Sequence, residues 1–156
     1  MKHLPKIFTT SILAIFTLIQ VSCKKSDPEP AAIDVAATLQ NKNWKITALT
    51  MAPALAGVTD IYNDSYDACE RDNLYKFNTA DVFLLDEGAT LCNTGDPQTL
   101  TGTWNYNAST KIIHYQILGD SWDLLVTSIN ENVLIGTMQD IISGVTYTST
   151  WTFTKQ

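Results

Sequence analysis

Few residues in this chain have both the type and the spacing for chemistry. His114 lies mid-run, flanked by Ile112-Ile113 and Tyr115, on the face it shares with Ile112 and Gln116. One histidine acts as a general base only beside a suitable nucleophile or acid. Asp86 and Glu87 have the types of an acid–base pair, but adjacent residues in a strand point to opposite faces. The threonines alternate with apolar residues, as solvent-facing β-formers do. There is no phosphate loop, metal-ligand cluster or nucleophile elbow, so the expectation is a protein that is not an enzyme and uses no cofactor or metal. Asp60, Asn63, Asp64, Asp67, Glu70 and Asp72 could offer oxygens to a hard cation. Their spacing is not that of a calcium loop, and a solvated acidic loop is the plainer reading. The aromatic residues remain. Tyr75, Phe77, Trp104, Tyr106, Tyr115, Trp122, Tyr147 and Trp151 would either fill a core or stack on a flat or sugar-like ligand with their polar tips hydrogen-bonding to it.

The elements that position these side chains are organised around Cys69 to Trp104. Within it, Leu74–Phe77 and Val82–Asp86 read as a hairpin turned by Asn78-Thr-Ala-Asp81, and Thr99–Tyr106 reads as the next strand. Before them, Ile33–Gln40 has helical spacing, with Ile33, Ala36, Ala37 and Gln40 on one face, and a strand begins at Trp44. That first strand puts Trp44, Ile46 and Ala48 on one face and Lys45, Thr47 and Leu49 on the other. After them come Lys111–Leu118, Trp122–Ile129, Val133–Met138 and a last strand in which Val145, Tyr147, Ser149, Trp151 and Phe153 alternate with threonines. Thr50 to Asp72 is the longest stretch without strand character, with enough apolar residues to fold over an opening. Eight strands joined mainly by short turns predict an all-β, antiparallel, up-and-down barrel with a short N-terminal helix, because closure removes the sheet's edges. A sandwich is the alternative.

The chain begins with a basic segment (Lys2, His3, Lys6) and an apolar run of thirteen residues, Ile7 to Ile19. That is too short to cross a bilayer core of about 30 Å but suits a secretory signal. Gln20-Val-Ser-Cys23 follows and resembles a bacterial lipobox, with Gln20 where leucine is usual. The expected organisation is a signal peptide over 1–22, a lipidated tether over 23–32 containing Asp27-Pro-Glu-Pro30, and a barrel domain over 33–156. Cleavage removes Lys2 and Lys6, leaving eight of the ten basic side chains against sixteen acidic ones, a formal charge of −8. Such a surface repels nucleic acid and anionic membranes, so the membrane contact is expected through lipid on Cys23. With Cys23 lipidated, Cys69 and Cys92 remain, and in an oxidising compartment a bridge between them is the default.

Leu39-Gln-Asn-Lys-Asn-Trp44-Lys-Ile-Thr, Cys69-Glu-Arg-Asp-Asn-Leu-Tyr75-Lys-Phe77, and Cys92 followed by Thr101-Gly-Thr-Trp104 resemble the lipocalin-like lipoproteins of Bacteroidota. The resemblance runs from about Leu39 to the C-terminus. It implies a calycin-type barrel and a small hydrophobic ligand, in a family whose members mostly lack an assigned function. Lipocalins proper open strand one with Gly-x-Trp, and here Lys42 takes the glycine position. The resemblance also pairs Trp44 with a basic residue after the last strand, a place Lys155 could fill; an exposed terminal lysine is the alternative.

Two functions follow as expectations. The first is an envelope lipoprotein, at the outer membrane on its periplasmic or cell-surface side, that binds a small, partly hydrophobic ligand in the barrel with Thr50–Asp72 as lid. A void of roughly 300 Å³ or more would favour it. The second is an interaction lipoprotein with a solid barrel, whose long loop meets another envelope protein.

Overall fold

Period-two alternation of β-formers takes the chain into strands through most of residues 33–156, the part that the computed structural model describes. The expected signal peptide, Cys23 and the tether over 23–32 lie outside the described residues. In chain order the strands are β1 (Asn43–Leu55), β2 (Val58–Asp60), β3 (Leu74–Phe77), β4 (Val82–Asp86), β5 (Thr99–Asn107), β6 (Ile112–Ile117), β7 (Asp120–Ile129), β8 (Val133–Ile142) and β9 (Val145–Lys155). From β3 to β9 each strand pairs antiparallel with the next, while β1 pairs with both β3 and β9. The result is a closed up-and-down barrel of eight strands, with β2 a short addition to the far end of β1. The ladder between β1 and β9, from Trp44 opposite Lys155 to Ala52 opposite Thr148, closes the sheet and excludes the sandwich.

Two bulges decide which side chains face inward. Between Ile46 and Ala48 the β1–β9 register shifts, leaving Thr47 as the extra residue. An extra residue moves the alternation by one step. Trp44 and Ile46 are therefore buried with Leu49, and the simple alternation that grouped Ala48 with them fails beyond Thr47. The same device in β7, between Val126 and Ser128, brings Ile129 to the buried face with Leu124 and Val126.

One end of the barrel is plugged. A single helical turn, α1 (Val35–Leu39), starts at Asp34, whose carboxylate accepts the Ala37 N–H at 3.0 Å. The turn is shorter than the expected 33–40, and a different face is buried. Thr38 and Leu39 are covered, whereas Ile33 is 55% exposed. The reason is the exit from the helix: Asn41 N–H donates to the Phe77 carbonyl, and the Trp44 indole N–H donates to the Leu39 carbonyl at 3.0 Å. These bonds pull the last residues of the turn, not its first, onto the barrel. Lys155 stands opposite Trp44 in the ladder, with its side chain exposed.

The other end carries the loops. Here the expected structureless stretch Thr50–Asp72 is largely ordered. β1 continues to Leu55, turns through Ala56-Gly57 at φ 51° and 88°, and returns as β2. A short helix α2 (Ile61–Asp64) and a 3-10 turn (Glu70–Asp72) follow. Leu118-Gly119 and Ser143-Gly144 also have both φ values positive. That geometry suits two-residue hairpins with the strands' right-handed twist, and it lets β8 and β9 extend beyond Met138 to Ile142.

Gly102 marks the tightest backbone approach in the wall. A Cβ there would lie 1.9 Å from the Gln116 carbonyl oxygen and 3.2 Å from the Ile117 Cα. Backbone cannot rotate away as a side-chain tip can. Gly102→Ala is expected to destabilise the fold by about 1–3 kcal/mol, measured as a lower urea midpoint, and an unchanged midpoint would contradict this packing.

Candidate functional site

The barrel interior divides into a filled half and an open half. Towards α1, Trp44, Phe77, Ile113, Leu124, Leu134 and Phe153 are almost wholly buried. Phe77 meets the Trp104 ring edge-on at 5.2 Å, and the Trp104 indole donates to the Asn78 carbonyl at 2.8 Å. Bulky rings with satisfied polar tips leave this half solid.

Towards the loops the same face opens into a cavity of about 220 Å³. Tyr75, Phe83, Tyr115, Trp122 and Trp151 form its walls with Leu85 and Ile117, and Tyr66 and Glu70 reach in from the loop. The walls are rigid. Tyr115 stacks on Trp122 at 5.3 Å and lies 5.1 Å from Phe83, while Tyr75 meets Phe153 edge-on at 5.5 Å. The Trp151 indole donates to the Ser149 hydroxyl at 2.9 Å, which fixes its ring.

Tyr66 reaches over the mouth because four contacts hold its segment. Its hydroxyl shares a hydrogen bond with that of Tyr75 at 3.2 Å. The Arg71 guanidinium donates to the Tyr66 carbonyl through Nε and Nη2, both at 3.2 Å, and lies 5.2 Å from the Tyr62 ring centroid. Tyr62 in turn stacks on Tyr66 at 5.7 Å. Finally, Cys69 is bridged to Cys92, which ties this loop to the one between β4 and β5.

Burial pushes the Tyr66 phenol up to about 12, with the Glu70 carboxylate adding to the rise and the hydrogen bond with Tyr75 opposing it. Burial likewise holds the Tyr75 and Tyr115 phenols well above their ordinary value, with the neighbouring Tyr66 contributing to both. All three hydroxyls therefore stay protonated at neutral pH and act as neutral donors and acceptors. Glu70 supplies the one carboxylate among the lining residues.

The structure separates the eight aromatic residues singled out in the sequence. Tyr75, Tyr115, Trp122 and Trp151 line the cavity. Phe77 and Trp104 belong to the solid half, and Tyr147 is half-buried higher on β9. Tyr106 faces a wider, shallower groove beside α1, about 840 Å³, which is open to solvent. We place the site in the barrel mouth, where enclosure and aromatic walls coincide. Sequence reasoning missed Phe83, Leu85 and Ile117, although their strand periodicity could have found them. It also missed that Glu70 turns inward, for which no local signal exists.

The other candidate chemistry is dispersed. His114 Nδ1 lies 2.7 Å from Asp123 Oδ1, on the outer face. Asp86 pairs with Lys76 at 2.8 Å, and that hydrogen bond, aided by Gln98, holds its carboxyl below the usual range. Glu87 instead accepts the Cys92 N–H. In the acidic loop, Asp60 caps α2 and Asp72 accepts the Ala89 N–H at 3.0 Å. Among the described residues, no three His, Cys, Asp or Glu side chains converge to hold a metal ion. Compared with the known protein families and with curated proteins, the chain matches none.

The loop's attachment through Cys69 is testable. Cys69→Ser/Cys92→Ser is expected to lose about 3 kcal/mol through the freed loop, lowering the melting temperature by on the order of 10 °C. An unchanged melting temperature would mean that the bridge does not constrain the fold.

Proposed function

We propose that the protein is a lipid-anchored envelope lipoprotein of the lipocalin-like kind, binding a small, partly apolar ligand in the open half of its barrel. The observation that carries the reading is the one-ended cavity whose aromatic walls are covered by Tyr66. At about 220 Å³ it is smaller than the roughly 300 Å³ expected of a ligand site, so the ligand is correspondingly small. Rigid walls favour binding, because little side-chain freedom is lost when a ligand enters. The scattered carboxylates and the outward His114 support a role in binding, not catalysis.

The anchor reading rests on Gln20-Val-Ser-Cys23, with lipid on Cys23 holding the barrel to the outer membrane. A second reading, an envelope protein that docks a protein partner, draws on the apolar side chains of the loop end. Leu118 and Ile141 are 78% and 75% exposed there.

Native mass spectrometry of the protein extracted gently from its own host tests both. The expected result is a reproducible small extra mass that is lost on unfolding. The covalent lipid mass should be absent from a Cys23→Ser variant, which should leave the membrane fraction. A polypeptide carrying no small molecule would favour the protein-docking reading, and membrane retention of Cys23→Ser would end the lipid-anchor reading.

A further inference from the structure

The cavity's polar groups are not those of a site for an apolar acid. Glu70 is half-buried and lines the cavity together with Tyr66 and Tyr75, whose hydroxyls share a hydrogen bond. Among the described residues it has no ion-pair partner: the salt bridges join Lys42 to Glu131, Lys76 to Asp86 and His114 to Asp123. The nearest cation in sequence, Arg71, is committed to the Tyr66 and Asn63 carbonyls and to the Tyr62 ring. Among the described residues, the Glu70 carboxylate accepts only a long bond of 3.4 Å from the Asp67 N–H. A carboxylate that lines a cavity of aromatic faces and makes no salt bridge adds negative charge beside rings whose own faces are negative.

Resting on the ligand-binding reading above, we propose that the cavity takes a small organic cation: an aromatic or apolar body seated against Tyr115, Trp122 and Trp151, with a protonated amine at the mouth against Glu70. An ammonium group there gains both the carboxylate and the faces of the neighbouring rings. The protonated phenols add no charge and remain able to accept a hydrogen bond from the amine through oxygen. A ligand carboxylate would meet Glu70 as a like charge. Size agrees with this class. The cavity has the volume of roughly seven water molecules at about 30 Å³ each, enough for a single ring with a two-carbon arm.

Three probes sharing one body and differing in charge test the proposal by calorimetric titration of the purified full chain: phenethylamine, 2-phenylethanol and 3-phenylpropionate. The amine is expected to bind about tenfold or more tightly than the alcohol, and the acid more weakly than either. Glu70→Gln should cut the amine's affinity about tenfold and the alcohol's far less, with the melting temperature unchanged. Equal affinities for amine and alcohol, or tightest binding of the acid, would overturn the cation class while leaving the ligand-binding reading in place. Failure of all three probes to bind would overturn this proposal, and the ligand-binding reading would then stand or fall on the native mass. If Glu70→Gln unfolds, Glu70→Asp serves instead. It keeps the charge and should retain the preference for the amine, and loss of that preference would count against the proposal.

Discussion

Everything in this molecule depends on the ladder between β1 and β9. An antiparallel meander without it would leave two long edges of unpaired backbone, one along Trp44–Ala52 and one along Thr148–Lys155. Closure satisfies those groups and fixes the radius of the barrel. With eight strands, the interior is wide enough for one layer of large side chains or one small ligand, and no wider. The sequence uses both solutions in one barrel. It fills the α1 end with rings and aliphatic side chains and leaves space at the loop end.

The division follows from where the rings are attached. Trp44, Phe77, Phe153 and Trp104 sit on parts of β1, β3, β9 and β5 that lie near α1, and the Leu39 and Asn78 carbonyls receive the two indole N–H groups. Tyr75, Tyr115, Trp122 and Trp151 lie nearer the loops, where the strands have no helix to plug them. There the roof is Tyr66, held by the Tyr75 hydroxyl, Arg71 and the bridge at Cys69. A roof that is only partly buried against the core and is held from a loop belongs to the part of a protein that opens more easily than its strands. Solid floor and lighter roof together enclose the cavity at the loop end.

Much of this was legible in the sequence, because period two reports strand faces directly. The last strand, from Val145 to Lys155, could be read residue by residue, and the Cys69–Cys92 bridge followed from the arithmetic of three cysteines. The failures have physical causes. A bulge at Thr47 or near Thr127 has no signature in hydropathy, yet each reverses the inward face for the rest of its strand. The α1 face was misjudged because a helix of one turn is positioned by tertiary hydrogen bonds more than by its own amphipathicity. Among the aromatic residues, type could not separate Phe77 from Tyr75, two residues apart on one short strand. Only their height in the barrel does. Glu70 lay in an acidic stretch that reads as solvated, and its place beside the cavity is a tertiary fact that its neighbours in sequence do not encode.

The claim that one half of the barrel is solid and the other open can be tested without knowing the ligand. Xenon enters apolar cavities of this scale and leaves packed cores alone. Methyl NMR under xenon pressure should shift the resonances of Leu85 and Ile117, which line the open half, and leave those of Ile113, Leu124 and Leu134 in place. Shifts centred on the second group, or none in either, would contradict the division of the interior on which the site rests.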